Sequence, residues 1–306
     1  MLSDEELSRF QSDGYLVVRN VLDPVKCQEC LDDHILPAME RLCGLKTTAC
    51  GVVLSDAAAV RSMATGEDSC DPPVGIMIRE GDGRDPLPDA TGDWILRNHK
   101  LLSVLNQLHG SSGSWQWLHP NNLGWIHARL PTTIGSSSHS LADPYQQHRW
   151  HVDGGHFTPH FLTSPEQSVV VLPVLHSIPH GGGNTVVLRK SHVYTAQWLH
   201  QQQQDGVDKS YTQDCRPIAQ KWPIHLIDEV APCQAGDVLL LHPFVIHAAG
   251  FLTNNDDAQT PPFRISFNLG TQWTRPPQLQ NSASWLEHSF QQAVTKDVSP
   301  IPIMKR

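Results

Sequence analysis

The chain has 306 residues, a formal net charge of -9 at pH 7 and 39% hydrophobic residues, enough to bury a sizeable core. The negative balance argues against a broad electrostatic footprint for phosphate backbones or anionic bilayers, so neither nucleic acid nor a membrane surface is an expected partner, and no apolar run approaches the ~20 residues needed to span a bilayer. The acidic start Met1-Leu2-Ser3-Asp4-Glu5-Glu6 and the seven scattered cysteines fit a cytoplasmic protein whose thiols stay reduced.

Ser3 followed by Glu6 has the form of a capping box, and Leu7 and Phe10 continue at helical spacing until Gly14 closes the segment. Residues 15–21, rich in β-branched and aromatic side chains, read as a strand. Asp23-Pro24 then offers an N-cap and a proline at the first helical position of a second helix, expected to run to about Gly44 and to carry Cys27 and Cys30 as structural thiols. Residues 47–93 read as loops around one strand at 74–79. A helix is expected over 96–109, where Leu101, Leu102, Val104, Leu105 and Leu108 fall at core-facing spacing before Gly110.

From Trp115 onward the pattern changes to short apolar runs cut by proline and glycine. Strands are expected at 123–130, 168–175, 185–188, 238–242 and 263–269, interrupted by one helix that Ser191 would cap. Helices early and strands later, without regular βαβ alternation, point to a mainly β architecture: a double-sheet jelly roll with helices packed outside it. The domain reading is a single unit over 1–306, with a helical part at 1–114, a jelly-roll core at 115–275 and a C-terminal extension at 276–306.

The chemistry concentrates in Gln147-His-Arg-Trp-His-Val-Asp-Gly-Gly-His-Phe157. In extended backbone His151 and Asp153 leave the same face, so both can grip one cation, as in the 2-His-1-carboxylate triad of non-haem Fe(II) enzymes. The third ligand has two candidates after the strand at 238–242. His247 is preferred because small residues follow it, whereas His242 precedes Pro243 and could simply end the strand. His156 and His160 are read as supporting or surface residues, and Trp125 and Trp273 as packing residues with a pocket-wall role open for Trp273. Arg264 is a lone cation in an apolar strand, with Ser266 on the same face; a buried arginine calls for an anion, and carboxylate is its natural partner. His127 and Arg129 share a strand face, and Arg129 either faces the site or makes an ordinary salt bridge.

His151-x-Asp153, Gly182-Gly183-Asn184-Thr185, Lys190-Ser191-His192, Gly236-Asp237, His247 and Arg264-x-Ser266, together with the opening Phe10-Gln-Ser-Asp-Gly-Tyr15, resemble the phytanoyl-CoA dioxygenase family of Fe(II)/2-oxoglutarate-dependent oxygenases. The resemblance extends from about residue 3 to about residue 275. It implies a double-stranded β-helix in which His151, Asp153 and His247 bind Fe(II). It also implies 2-oxoglutarate on the iron with its distal carboxylate at Arg264 and Ser266, polar contacts from Arg129 and His127, O2 as co-reactant, and release of succinate and CO2. Relatives that halogenate lack the carboxylate ligand, so Asp153 points to hydroxylation or a related oxidation of a small-molecule substrate. This chain departs from its relatives by carrying Lys190 where they usually have glycine, and by a polar insertion at 253–262. The competing reading is a cupin-like metal-binding protein, or a pseudoenzyme, without oxygenase activity. The segments 65–88 and 136–146 are expected to wall or cover the site.

Overall fold

A computed structural model describes residues 1–38, 91–120, 150–154, 157–202, 206, 215–250, 264–280, 282 and 284–295, together with the backbone of strands at 45–48, 51–54, 75–79 and 125–129. The larger antiparallel sheet contains β1 (Tyr15–Val18), β4 (Gly75–Arg79), β5 (Trp115–Trp117), β6 (Trp125–Arg129), β7 (Val170–Pro173), β10 (Val238–Leu241) and β12 (Arg264–Trp273). Its order is β1-β10-β7-β12-β6-β4, with β5 paired to β12. A smaller sheet has the order β11-β8-β9, formed by His247–Ala249, Thr185–Leu188 and Ile227–Glu229. Leu45–Thr48 (β2) and Gly51–Leu54 (β3) form a separate antiparallel pair. This is the expected jelly roll with flanking helices.

The period-two alternation of side chains sorts the core into two layers. Leu16 and Val18 of β1, Val238 and Leu240 of β10, Val171 of β7, and Ile265, Phe267 and Leu269 of β12 turn outward onto the helices and join Phe10, Leu105 and Phe290. Their neighbours Val17, Leu239, Leu241, Val170 and Leu172 turn inward, where they meet Val187 of β8 and Val245. Strands buried on both faces need apolar residues at every position, which is why Val238–Leu241 is an unbroken apolar run. Truncating such an inward leucine to alanine costs about 2–5 kcal/mol.

Local signals hold at the helix starts. Ser3 Oγ accepts from the Glu6 backbone N at 3.2 Å while Glu6 accepts from the Ser3 backbone N at 2.8 Å, and Asp23 caps Pro24–Cys30 through Val25 N at 2.9 Å. That helix widens to a π turn at Leu31–Ile35; its expected end near Gly44 lies outside the described residues. The helix expected over 96–109 is His99–His109, capped by Asn98, with a separate short helix at Asp93–Leu96 before it. The extension at 276–306 contains a helix, Trp285–Thr295, which packs on the helices Ser191–Gln201 and His99–His109. Ser191 does not cap its helix. Lys190 occupies the cap position in left-handed conformation at φ 68°, and the Ser191 hydroxyl is taken up elsewhere. The segment 136–146 lies outside the described residues, as does 65–88 apart from β4.

Candidate metal and cosubstrate site

His151 and His247 face each other in an isolated antiparallel bridge, with His151 N donating to His247 O at 3.0 Å and His247 N to His151 O at 2.9 Å. Residues directly opposite in such a pair project to the same side, and the two imidazole rings lie 4.4 Å apart, tilted by 52°. Two residues on, Asp153 returns to that side. Its Oδ1 is 3.5 Å from His151 Nε2 and its Oδ2 is 3.8 Å from His247 Nε2, and one ligand atom from each of the three lies within 4.8 Å of the others. Adjacent ligands about 2.1 Å from an octahedral metal stand about 3 Å apart, so side-chain closure of about 1 Å would gather these three around one ion. Two imidazoles and a carboxylate are the donor set of non-haem Fe(II) sites with an open face.

The scaffold around His247 fixes its ring. His247 Nδ1 donates to Val245 O at 3.1 Å, which leaves the lone pair on Nε2, the atom that faces Asp153. Just before it, Ile246 N donates to the buried Ser191 Oγ at 2.7 Å, and Ile246 O accepts from Leu188 N at 2.9 Å. The hydroxyl read in the sequence as a helix cap therefore secures the strand that presents His247. Burial, reinforced by the neighbouring His151, pushes the His247 imidazole down to about 4, so it is neutral near pH 7. Burial pushes the Asp153 carboxyl up, but the hydrogen bond from His151, the charges of His247 and His151, and the Asn268 amide together hold it well below the usual carboxylate range. A neutral His247 imidazole beside an ionised Asp153 carboxylate is in the protonation state a metal ligand requires.

Gly154 follows Asp153 at φ 126°, and a Cβ there would stand 2.5 Å from both Gln167 Oε1 and His160 Cε1. Glycine is thus required for the chain to turn away from the site. His160 itself is buried and stacks on Phe157 at 4.1 Å.

Arg264 opens β12 and is 4% exposed. Its Nη1 donates to Gly183 O and its Nη2 to Thr185 Oγ1, the latter at 3.0 Å. These two contacts orient the planar fork of the guanidinium. Next to it His176 Nε2 accepts from Ile265 N at 3.0 Å, and burial together with the Arg264 charge pushes that imidazole down to about 4. On β12, Arg264, Ser266 and Asn268 alternate with the outward Ile265, Phe267 and Leu269, so the three polar residues share the inward face. Asn268 Nδ2 donates to Asp153 Oδ2 at 3.1 Å and so connects this strand to the triad.

Several sequence candidates fall elsewhere. His242 is 2% exposed, with Nε2 2.9 Å from Ser289 Oγ and Nδ1 accepting from Phe244 N, and its ring packs 4.7 Å from that of His192. It belongs to the outer helical layer, away from Asp153. Trp273 is buried edge-on against His109 at 4.9 Å, a packing residue. His127 and Arg129 lie on β6 in register with Ser266 and Arg264. His176 and Asn268 were missed in the sequence, and Thr185 was read there only as the end of the motif Gly182-Gly183-Asn184-Thr185; of the two missed, Asn268 alone had a signal, since the alternation that pairs Arg264 with Ser266 reaches it two residues later.

No family model and no curated protein matches the chain. Solved structures do. The non-haem α-ketoglutarate-dependent carbocyclase SnoK from nogalamycin biosynthesis superposes with a TM-score of 0.53 at 16% identity, covering 92% of this chain and 88% of its own. The epimerase SnoN, in complex with Fe3+, α-ketoglutarate and nogalamycin RO, superposes with a TM-score of 0.51 at 15% identity, covering 88% of this chain and 82% of its own. The likeness is one of fold. Among the described residues no helix is long and apolar enough to cross a membrane.

Proposed function

We propose that this chain is an Fe(II)- and 2-oxoglutarate-dependent dioxygenase of the phytanoyl-CoA dioxygenase type, oxidising a small molecule with release of succinate and CO2. The observation that carries this reading is that a two-imidazole, one-carboxylate cluster and a buried arginine share one barrel interior and are connected through one strand face. A strand rises ~3.3 Å per residue, so Arg264 and Asn268 stand about 13 Å apart along β12. An arginine side chain, a five-carbon dicarboxylate and a metal ion fill such a span. A metal-binding barrel without oxygenase activity would use the triad but has no need of a cation so placed.

In this reading His151, Asp153 and His247 hold the iron by one face, Arg264 and Ser266 orient the distal carboxylate of the cosubstrate, and Arg129 and His127 on the adjoining strand add polar contacts. The iron would supply O2 activation coupled to oxidative decarboxylation of 2-oxoglutarate. The apolar inward residues Val187, Leu239 and Leu241 keep water from the reacting centre. Nogalamycin RO bound to SnoN supports a small organic molecule as the substrate class. A reducing, cytoplasmic location belongs to the same reading, supported by the buried, unbridged thiols of Cys27, Cys30 and Cys233. Anaerobic titration with Fe(II) and 2-oxoglutarate, followed by exposure to O2 and measurement of succinate, tests the proposal. Binding of 2-oxoglutarate that requires Fe(II) is expected, with slow succinate release even before a substrate is found. No metal-dependent binding of 2-oxoglutarate would refute it.

A further inference from the structure

We infer that Asn268 is the positioning residue of the carboxylate ligand: its amide occupies Asp153 Oδ2, so that Asp153 binds the metal through Oδ1 alone. The inference rests on the metal reading above and adds a role for a residue outside the ligand set. Asn268 sits in the longest described strand, in register with Trp125 of β6 and next to the pairing of Leu269 with Val171 of β7, so its Cα is held from both sides. Asparagine is disfavoured inside strands; strand formation does not account for its presence there. Its inward direction follows from the alternation with Phe267 and Leu269, which pack in the outer layer.

The contact itself has one chemically sensible orientation. An ionised carboxylate only accepts hydrogen bonds, so the group 3.1 Å from Asp153 Oδ2 is the amide Nδ2, since the amide oxygen turned that way would repel it. The amide is neutral and keeps its N–H at every accessible pH. It therefore holds the carboxylate without competing for a cation or repelling one. With Oδ2 engaged, Oδ1, 3.5 Å from His151 Nε2, is the oxygen left to bind. A carboxylate without this restraint can rotate and chelate through both oxygens. That would occupy one more coordination position on the side a cosubstrate needs.

Residues that orient metal ligands typically contribute 10- to 100-fold to metal affinity. The test uses the full chain, with Co(II) as the probe, and compares wild type with Asn268→Ala and the near-isosteric Asn268→Leu. The inference expects both variants to bind Co(II) about 10- to 100-fold more weakly and to change the visible ligand-field bands of the bound ion, while the melting temperature of the metal-free protein stays within a few degrees of wild type. Co(II) affinity and spectrum equal to wild type in both variants would overturn it. So would metal-free variants that melt far below wild type, because the amide would then be part of the fold rather than an aligner of the ligand. Wild-type protein that binds no Co(II) would overturn the metal reading as well, an outcome distinct from wild-type binding with unaffected variants.

Discussion

Replacing Arg264 by methionine keeps an unbranched stem in β12 and removes the fork that donates to Gly183 O and Thr185 Oγ1. If that fork anchors the distal carboxylate of 2-oxoglutarate, the bound state loses a buried, charge-assisted pair. Truncating one member of such a pair costs ~2–5 kcal/mol. Taking the lower half of that range, because the cosubstrate also chelates the metal, gives about 2–3 kcal/mol, or roughly a 30- to 150-fold weaker dissociation constant. Arg264→Lys retains the charge without the planar geometry and should fall between wild type and Arg264→Met. The assay is calorimetric or fluorescence titration of 2-oxoglutarate into protein loaded with Mn(II), with circular dichroism to show that the sheet survives. Unchanged 2-oxoglutarate affinity in a folded Arg264→Met protein would refute the reasoning, and the role of the arginine would then be to tie β12 to the loop at Gly183.

Three further outcomes are expected. His247→Ala should abolish stoichiometric Fe(II) binding, whereas His242→Ala should keep the metal and lose stability through its contacts with Ser289 and His192; retention of iron by the first variant and its loss in the second would mean that the wrong imidazole was chosen. Lys190→Gly should raise stability by about 0.5–1 kcal/mol in urea unfolding, because a left-handed residue with a side chain is strained by ~1–2 kcal/mol and the extra freedom of glycine returns only part of that; a lowered midpoint would count against it. Burial pushes the His109 imidazole down to about 4, so between pH 6.5 and about 4 the unfolded chain binds a proton that the folded one refuses. Stability is then level above pH 6.5 and falls on acidification, by about 2 kcal/mol from pH 7 to pH 5 for this one group, and equal urea midpoints in the wild type at those two pH values would contradict it.

What the sequence disclosed depended on how local each signal was. The box at Ser3 and Glu6, the αL closure at Gly14, and the Asp23-Pro24 start all operate within four residues, and each forms as read. The Gly236-Asp237 turn was legible for the same reason, although its purpose was not. Asp237 is 1% exposed and accepts from Arg19 Nη1 at 2.6 Å, Asn20 N at 3.0 Å and Gln234 N at 2.8 Å, while a Cβ on Gly236 would stand 2.5 Å from Leu22 O. The turn thus pins the end of β1 from more than two hundred residues away, a pairing no local pattern announces. The C-terminal helix Trp285–Thr295 went unread although one of its signals is local: Ser284 Oγ accepts from Glu287 N at 3.1 Å at its start, and the helix then docks on the helices Ser191–Gln201, His99–His109 and Asp4–Asp13.

The candidate site divides along the same line. His151 with Asp153, and Arg264 with Ser266, are pairs two residues apart on extended backbone, and period two alone sets each pair on one face. What joins the pairs is non-local. His247 meets His151 through a single bridge between separate segments, and Asn268 meets Asp153 across 115 residues. Ser191 illustrates how a local reading fails when a distant partner competes for the same group. A serine at the start of a helix is an ordinary N-cap candidate. Here its hydroxyl lies within hydrogen-bond reach of Ile246 N, the amide that precedes His247. Leaving a buried amide unsatisfied costs about 1–3 kcal/mol, more than the ~1 kcal/mol that a capping bond contributes. The hydroxyl therefore goes to the strand, and Lys190 is left to turn the helix start in a left-handed conformation without a side-chain cap.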